Sequence, residues 1–384
     1  MKYKKVKLGE VCTMSSGGTP SRSKHEYYGG SILWAKISDI ENAKTGIITE
    51  TEEKITEQGL KAINNRIFET NTLLLAMYGS VGKTAITGCR LSTNQAILGI
   101  RPSKDDIISL HFLKFWLQYK KADLLNRAVG GTLQNISLGI VKNLEIPLPD
   151  LPTQRHIAQV LDKADALRQQ NRQLLAFYDQ LLQSTFIELF GDPVKNPKGW
   201  EVKSVIDCCE SCIVPGRDKP KSFTGEIPWI TTDDLVQLWI TGKSKKNLGL
   251  LQKEIEEVRA RKIPKNSVIM TCVGDLGVVS IAERDLIMNQ QLHAFVCGDK
   301  IVNFFLAYVL SYQKGYMYKM ASTTTVPYMN KTVCNSIPVI LPPLPLQAHF
   351  AEVVAQIEVQ KAQAGRSLAE SEALFEGLLA GYFG

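Results

Sequence analysis

The chain has 384 residues, 44% of them hydrophobic and 22% charged, with a formal net charge of +7 and eight cysteines. This composition supports folded cores and excludes a disordered chain. No apolar run approaches the eighteen or so residues of a membrane span, and eight cysteines in so long a chain are not a disulfide framework. At this length two or three domains are expected. The basic N-terminus, Met1 to Lys7, leads into no apolar stretch, so no secretory signal is expected and a reducing cytoplasm fits.

Residues 1–150 form a mixed block. Short β-type runs at 32–37, 72–77 and 96–100 are punctuated by Gly, Asn, Ser and Pro. Helical patterns lie at 56–64 and 110–125, the latter with Phe112, Phe115, Trp116 and Tyr119 at helical spacing. The pattern changes at 151–190. Pro149 and Pro152 mark its start, and no further proline or glycine intervenes before Gly191. Ile157, Val160, Ala164, Leu167, Asn171, Leu174, Tyr178 and Leu181 recur in three- and four-residue steps, flanked by Leu161, Leu175, Leu182 and Leu189. This heptad seam predicts one long coiled-coil-like helix spanning roughly 50 Å at ~1.5 Å per residue. Asn171 in the seam either sets the register or bonds to a partner subunit.

Residues 190–199, with two prolines and two glycines, break that helix. A second mixed block, 191–341, carries β-type runs at 227–230, 267–272 and 278–282. Residues 342–384 follow Pro342, Pro343 and Pro345 with a weaker seam: Phe350, Val353, Val354, Ile357, Ala364, Leu368, Leu374, Phe375, Leu378 and Leu379. Gln360, Ser367 and Ser371 interrupt it, and Gly365 costs a helix about 1 kcal/mol. Neither helix can bury its stripe alone, so the two are expected to pack antiparallel.

The chain is written twice. Residues 5–187 recur, degraded but in order, at 200–382. Trp34 returns as Trp229, Gly79-Ser-Val-Gly82 as Gly274-Asp-Leu-Gly277, Asn94-Gln95 as Asn289-Gln290, and Leu151-Pro-Thr-Gln154 as Leu344-Pro-Leu-Gln347. Glu201-Val-Lys203 aligns with Lys5-Val-Lys7 and reads as a strand edge, although Glu-x-Lys also occurs in nucleases. Positive charge follows the blocks: net +6 over 1–150 and +4 over 191–341, against 0 over 151–190 and −3 over 342–384. That distribution suits two polyanion-binding modules joined by neutral spacers, or equally solvated lysines on ordinary domains.

No catalytic set stands out. Gly79-Ser-Val-Gly-Lys-Thr84 imitates the end of a P-loop but has Met77 where the motif needs glycine, and the repeat replaces Lys83-Thr84 with Val278-Val279. It reads as a tight turn between strands. Cys208, Cys209 and Cys212 have no second pair at zinc-finger spacing and read as structural thiols, so no metal site is expected. The five histidines form no ligand spacing.

The layout resembles the specificity subunit of a type I restriction-modification enzyme. Leu148-Pro-Asp-Leu-Pro-Thr-Gln154 before Ile157, and Leu341-Pro-Pro-Leu-Pro-Leu-Gln347 before Phe350, resemble the family's proline-glutamine start of each long helix. Gly17-Gly-Thr-Pro20 with Trp34 to Ile40 resembles the front of a recognition domain, and Trp229 to Leu235 its second copy. The second copy departs where Val214-Pro-Gly-Arg217 replaces the Gly-Gly-Thr-Pro turn. The resemblance implies an α+β fold: two pseudo-two-fold-related target-recognition domains, 1–150 and 191–341, separated by two long antiparallel coiled-coil-like helices, 151–190 and 342–384. It implies a non-catalytic subunit whose two domains each read half of a bipartite asymmetric site on double-stranded DNA. The helices would set the spacer and dock two methyltransferase subunits, which restriction and translocase subunits would join. S-adenosylmethionine, ATP and magnesium would serve those partners, with no cofactor in this chain.

Base reading and phosphate contact need Arg, Lys and polar side chains on exposed loops. In the first block the candidates are Arg22, Lys24, Tyr27, Lys36, Ser80 and Lys83. In the second they are Arg217, Lys219, Lys221, Thr231, Lys243, Lys245 and Lys246. Loops 130–135 and 322–328 are further candidates for backbone contact. On the helices the candidate seam and partner-binding residues are Ile157, Leu161, Asn171, Leu174, Tyr178 and Leu181, with Phe350, Val353, Ile357, Leu368 and Phe375. Two other classes stay open on sequence: a protein-binding scaffold without DNA, and a nucleotide-dependent enzyme using the 79–84 loop.

Overall fold

The computed structural model describes every residue except 1, 2, 44, 45, 105, 129–134, 217, 323 and 324. Its contacts divide it into two compact units, residues 1–172 with 366–384, and residues 173–365. In the first, a five-stranded sheet runs edge to edge as Cys12–Ser16, Ile97–Pro102, Leu73–Ala76, Thr84–Thr87 and Ile47–Ile48. A three-stranded sheet follows the order Glu53–Ile55, Tyr28–Ala35, Ser92–Thr93, and Lys5–Lys7 pairs with Glu145–Pro147.

The second unit repeats this strand for strand. Its five-stranded sheet is Cys209–Ile213, Leu292–Cys297, Val268–Thr271, Val279–Ala282 and Trp239–Thr241. Its three-stranded sheet is Gly249–Leu250, Ile227–Ile230, Ile287–Met288, and Val202–Ser204 pairs with Pro338–Ile340. Pairing sense is repeated too: each five-stranded sheet has one parallel pair, at Ile47–Ile48 and at Trp239–Thr241.

The central strand of each large sheet is apolar on both faces, which is why its sequence shows no alternation of polar residues. Leu73 and Leu75 enter a core with Phe112, Phe115 and Trp116, while Leu74 and Ala76 enter a second core with Ala35, Ile40 and Phe68. Val268 and Met270 on one side, and Ile269 on the other, do the same in the copy. A Cβ on Gly99 would lie 2.1 Å from the Phe68 ring, so that ring fills space only glycine leaves.

The first strand corrects the sequence alignment by one residue. Lys5 pairs with Pro147 and Val202 with Ile340, so Val6 corresponds to Lys203 and not to Val202. Burial sets this register: Leu8 and Val205, both fully buried, follow at matching places and donate to Leu144 O and Ile337 O.

Both long helices have 40 residues, Leu151–Phe190 and Leu344–Phe383. Each starts on a buried glutamine. Gln154 Oε1 accepts from Ser109 N (2.8 Å), and its Nε2 donates to Pro149 O (2.9 Å) and Ile107 O (3.1 Å). Gln347 repeats the set with Val302 N (2.9 Å), Pro342 O (2.8 Å) and Lys300 O (3.5 Å). The first helix stops at Gly191, whose φ of +76° suits a C-terminal cap. Lys198 Nζ and Trp200 Nε1 donate to the last carbonyls, at Glu188, Leu189 and Phe190.

Within each unit the helix segments run antiparallel. In the first, Ile157, Leu161 and Ala164 share a core with Phe375, Leu379 and Phe383; Asn171 Nδ2 donates to Ser371 Oγ (3.2 Å), and Arg172 pairs with Glu372 (2.6 Å). In the second, Leu182, Phe186 and Phe190 share a core with Phe350, Val354 and Ile357, and Lys361 pairs with Asp179 (2.8 Å). The expected heptad seam needs correction. Leu167 and Leu174 are exposed and Leu181 is only partly buried, while the flanking Leu182 is buried together with Phe186 and Phe190, which lie outside the expected seam. An undistorted helix drifts ~20° per heptad against a strict seven-residue repeat, so the buried stripe advances by a residue along its length. The C-terminal helix, read as the weaker, has the more continuous stripe: Phe350, Val354, Ile357, Ala364, Ser371, Phe375, Leu379 and Phe383 are all buried. Val353 and Leu368 are partly buried at its edge.

Candidate nucleic-acid interface

In the first unit, a turn at 17–20 is fixed just ahead of Arg22 and Lys24. A Cβ on Gly17 would lie 2.1 Å from Thr93 Oγ1, so no side chain fits there. Trp34 Nε1 donates to Gly18 O (3.0 Å), Tyr28 Oη to Pro20 O (2.6 Å), and Thr19 Oγ1 bonds Gln95. The chain that leaves this turn carries Arg22 back over the Tyr28 and Trp34 rings, 4.5 and 5.2 Å from their centroids.

Glu53 then joins two of the predicted residues. Arg22 Nη1 and Nη2 donate to its Oε2 and Oε1 at 2.7 and 3.2 Å, and Lys36 Nζ donates to Oε1 at 2.8 Å. Lys36 also pairs with Glu52 at 3.1 Å. The bonds from Arg22 and then Lys36 hold the Glu53 carboxyl below the usual carboxylate range. Lys24 is exposed and donates to Tyr27 Oη at 3.1 Å.

Ser80 and Lys83 form a separate cluster on Glu41. Ser80 Oγ and Lys83 Nζ both donate to Glu41 Oε1 at 2.6 Å, which lowers the carboxyl's pKa, the lysine contributing most. The loop that carries both is a hairpin turn, with φ of +65° at Gly79 and +85° at Gly82, between strand Leu73–Ala76 and strand Thr84–Thr87. A P-loop requires a helix there, so the nucleotide-site reading fails on geometry. The copy keeps the turn and reverses its charge: Asp275 pairs with Lys314 at 3.0 Å.

In the second unit, Gln290, the counterpart of Gln95, donates to Gly216 O (2.9 Å) and Asp218 O (3.2 Å). The matching glutamine of each unit therefore bonds its own front loop, although the two loops differ in sequence. Arg217 lies outside the described residues, as do most of loop 130–135 and residues 323 and 324. Lys219 and Lys221 are exposed. The loop after them is tied to Glu254, which accepts from Ser222 Oγ, Leu251 N (2.8 Å), Thr224 Oγ1 (3.0 Å) and Thr224 N (3.3 Å); these bonds, Ser222 first, pull its pKa down to about 2. Thr231 Oγ1 donates to Asp234 Oδ2 (2.9 Å), Lys246 pairs with Asp233 (3.2 Å), and Lys245 donates to Asp233 O. Lys243 instead lines a cleft with Trp239, Lys265 and Arg284. No spacing in the sequence joins those last two to it.

Acidic partners are what the sequence reading missed. Glu53 lies 31 residues from Arg22, and Glu41 lies 42 from Lys83, so neither pair has a local signature. The cysteines do not converge on a metal: Cys209 sits opposite Cys297 and Cys212 opposite Phe295 in the strand register. No group of three or more His, Cys, Asp or Glu is placed to hold a metal ion among the described residues. No described helix is long and apolar enough to cross a membrane.

The sequence model of the family described as the type I restriction modification DNA specificity domain matches residues 1–176 and 197–363. The chain is 27% identical to the MjaIX type I restriction enzyme specificity subunit of Methanocaldococcus jannaschii, over 91% of this chain and 85% of that protein. It is 25% identical to the EcoR124I/EcoR124II specificity subunit of Escherichia coli, over 42% of this chain and 40% of that one. Its fold is similar to that of a type I restriction-modification S subunit from M. genitalium, with a TM-score of 0.62 at 15% identity, over 100% of this chain and 96% of that one.

Proposed function

The chain belongs to the type I restriction-modification DNA specificity family, and from that premise we propose that blocks 1–150 and 191–341 each take one half of a bipartite asymmetric site on double-stranded DNA. As a specificity subunit it is a DNA-recognition component and not the catalytic one. The observation that carries the two-part reading is the repeat itself. Strand order and pairing sense are shared, while the charged residues differ: Glu53 pairs with Trp34 on the neighbouring strand, Leu248 bonds Trp229 at the matching place, and Lys83 becomes Val278.

The segments 151–190 and 342–384 set the gap between half-sites and dock two methyltransferase subunits, with restriction and translocase subunits joining that core. Exposed Leu167, Leu174 and Phe177 on the first helix, and Val359 and Leu374 on the second, support docking, because apolar side chains of this size gain by being covered. S-adenosylmethionine, ATP and magnesium belong to those partners, in the cytoplasm. The purified chain is expected to bind DNA with an affinity that falls steeply with salt. Sequence-specific methylation is expected only once the methyltransferase is added; methylation of DNA by the chain alone with S-adenosylmethionine would sink this reading.

A further inference from the structure

We propose that Arg22 reads a guanine in the half-site taken by the first recognition block, and that Glu53, Tyr28 and Trp34 are the positioning residues that aim it. The inference rests on the DNA-specificity reading above and deepens it to one residue and one base.

Arg22 is held on an edge and on a face yet stays open to solvent. Its side chain is 57% exposed, although it contacts Trp34, which is 1% exposed. Tyr28 and Trp34 meet edge to face at 5.9 Å, a rigid floor for a planar cation. Glu53 takes one N–H from each of Nη1 and Nη2. A guanidinium has five N–H donors in a fixed fork, so this end-on pairing leaves Nε–H and the second Nη2–H as a parallel pair. That pair matches the O6 and N7 acceptors guanine presents in the major groove. Among the described residues, Arg22 donates to Glu53 alone.

Charge separates base reading from phosphate contact here. Arg22 and Lys36 are matched by Glu52 and Glu53, so the cluster is formally neutral. A neutral cluster releases few counterions from a phosphate backbone, whereas its directional donors remain available. The second block keeps the aromatic floor, with Phe223 and Trp229 at 5.8 Å, but has Leu248 where the first has Glu53. A clamp closed by a carboxylate at this place is therefore confined, among the described residues, to the first reader, and the two readers differ where an asymmetric site needs a difference.

The test uses the full chain reconstituted with its methyltransferase on a library of duplexes randomised across both half-sites, with methylated sequences read out. Arg22→Lys keeps the charge and loses the fork. It is expected to lower discrimination about 10- to 100-fold at one G·C position of one half-site and to leave the other half-site unchanged. Glu53→Gln is expected to relax that same position, and Glu53→Asp to restore part of it. If Arg22→Lys selects the wild-type sequence, or Arg22→Ala weakens binding equally on all sequences, Arg22 is not a base reader and the proposal fails while DNA specificity stands. If Glu53→Gln changes thermal stability but no base preference, the positioning role fails. Should the wild-type complex select no sequence at all, the underlying reading falls with it.

Discussion

His293 shows how a residue with no motif can govern a unit's response to acid. It lies on Leu292–Cys297, 2% exposed, with its ring 4.7 Å from Phe295 and Nε2 3.1 Å from Asn335 Oδ1. Burial lowers its pKa to about 4, against an ordinary value of 6.5; the Asn335 bond opposes the fall and the charge on Lys331 adds to it. Between those two values the unfolded chain binds a proton that the folded chain does not, so stability drops as pH falls from 6.5 toward 4. The loss is on the order of 2–3 kcal/mol. Urea unfolding at pH 7 and pH 4.5 should show a smaller loss for His293→Gln than for wild type; equal losses would mean that another group carries the dependence. Spacing alone had excluded His293 as a metal ligand but held nothing about its burial. The basic residues had the opposite fate. Arg22, Lys36 and Lys83 could be picked out as loop cations, yet their acids, 31, 17 and 42 residues away, are joined to them only by the fold.

Helices and strands were legible to the degree that one period dominated them. The 40-residue helices were, because proline marks their starts and long apolar stripes follow. A strict seven-residue template also picks Leu167 and Leu174, which are exposed, and passes over Phe186 and Phe190, which a helix close to 3.6 residues per turn brings inward by its last turns. The proline-glutamine start was visible as a repeated motif without a mechanism. Its mechanism is a clamp that satisfies two backbone carbonyls and one N–H: Ile107 O and Ser109 N in the loop before the helix Leu110–Tyr119, and Pro149 O at the start of the long helix itself. Gln154→Leu keeps most of the volume and leaves those three groups unpaired, a cost of about 2–4 kcal/mol. Gln173→Leu, on the exposed face of the same helix, should stay within about 0.5 kcal/mol of wild type. Denaturant midpoints for the two variants decide it: if Gln154→Leu unfolds with wild type, the glutamine is not what fixes the helix start.

For the molecule as a whole, duplication is the organising fact, and it was legible because glycine turns and helix starts resist change. Gly79 and Gly82, like Gly274 and Gly277, need positive φ, and Gln154 and Gln347 each satisfy the same three backbone groups. What sequence could not reveal is that the compact units divide inside both helices, at 172/173 and 365/366. Helical periodicity runs through those points without a break, and only tertiary packing distinguishes the two sides. That division makes the spacer proposal testable with little damage to either core. Four residues inserted between Arg172 and Gln173, with four more between Gly365 and Arg366, leave each unit's own contacts in sequence. They lengthen each helix by one turn, about 6 Å, comparable to one or two base-pair steps of ~3.4 Å. Methylation mapping with the reconstituted methyltransferase should return both half-site sequences unaltered, separated by a gap one or two base pairs longer. A changed half-site sequence at constant gap would show that the helices shape the readers and do not set the distance between them.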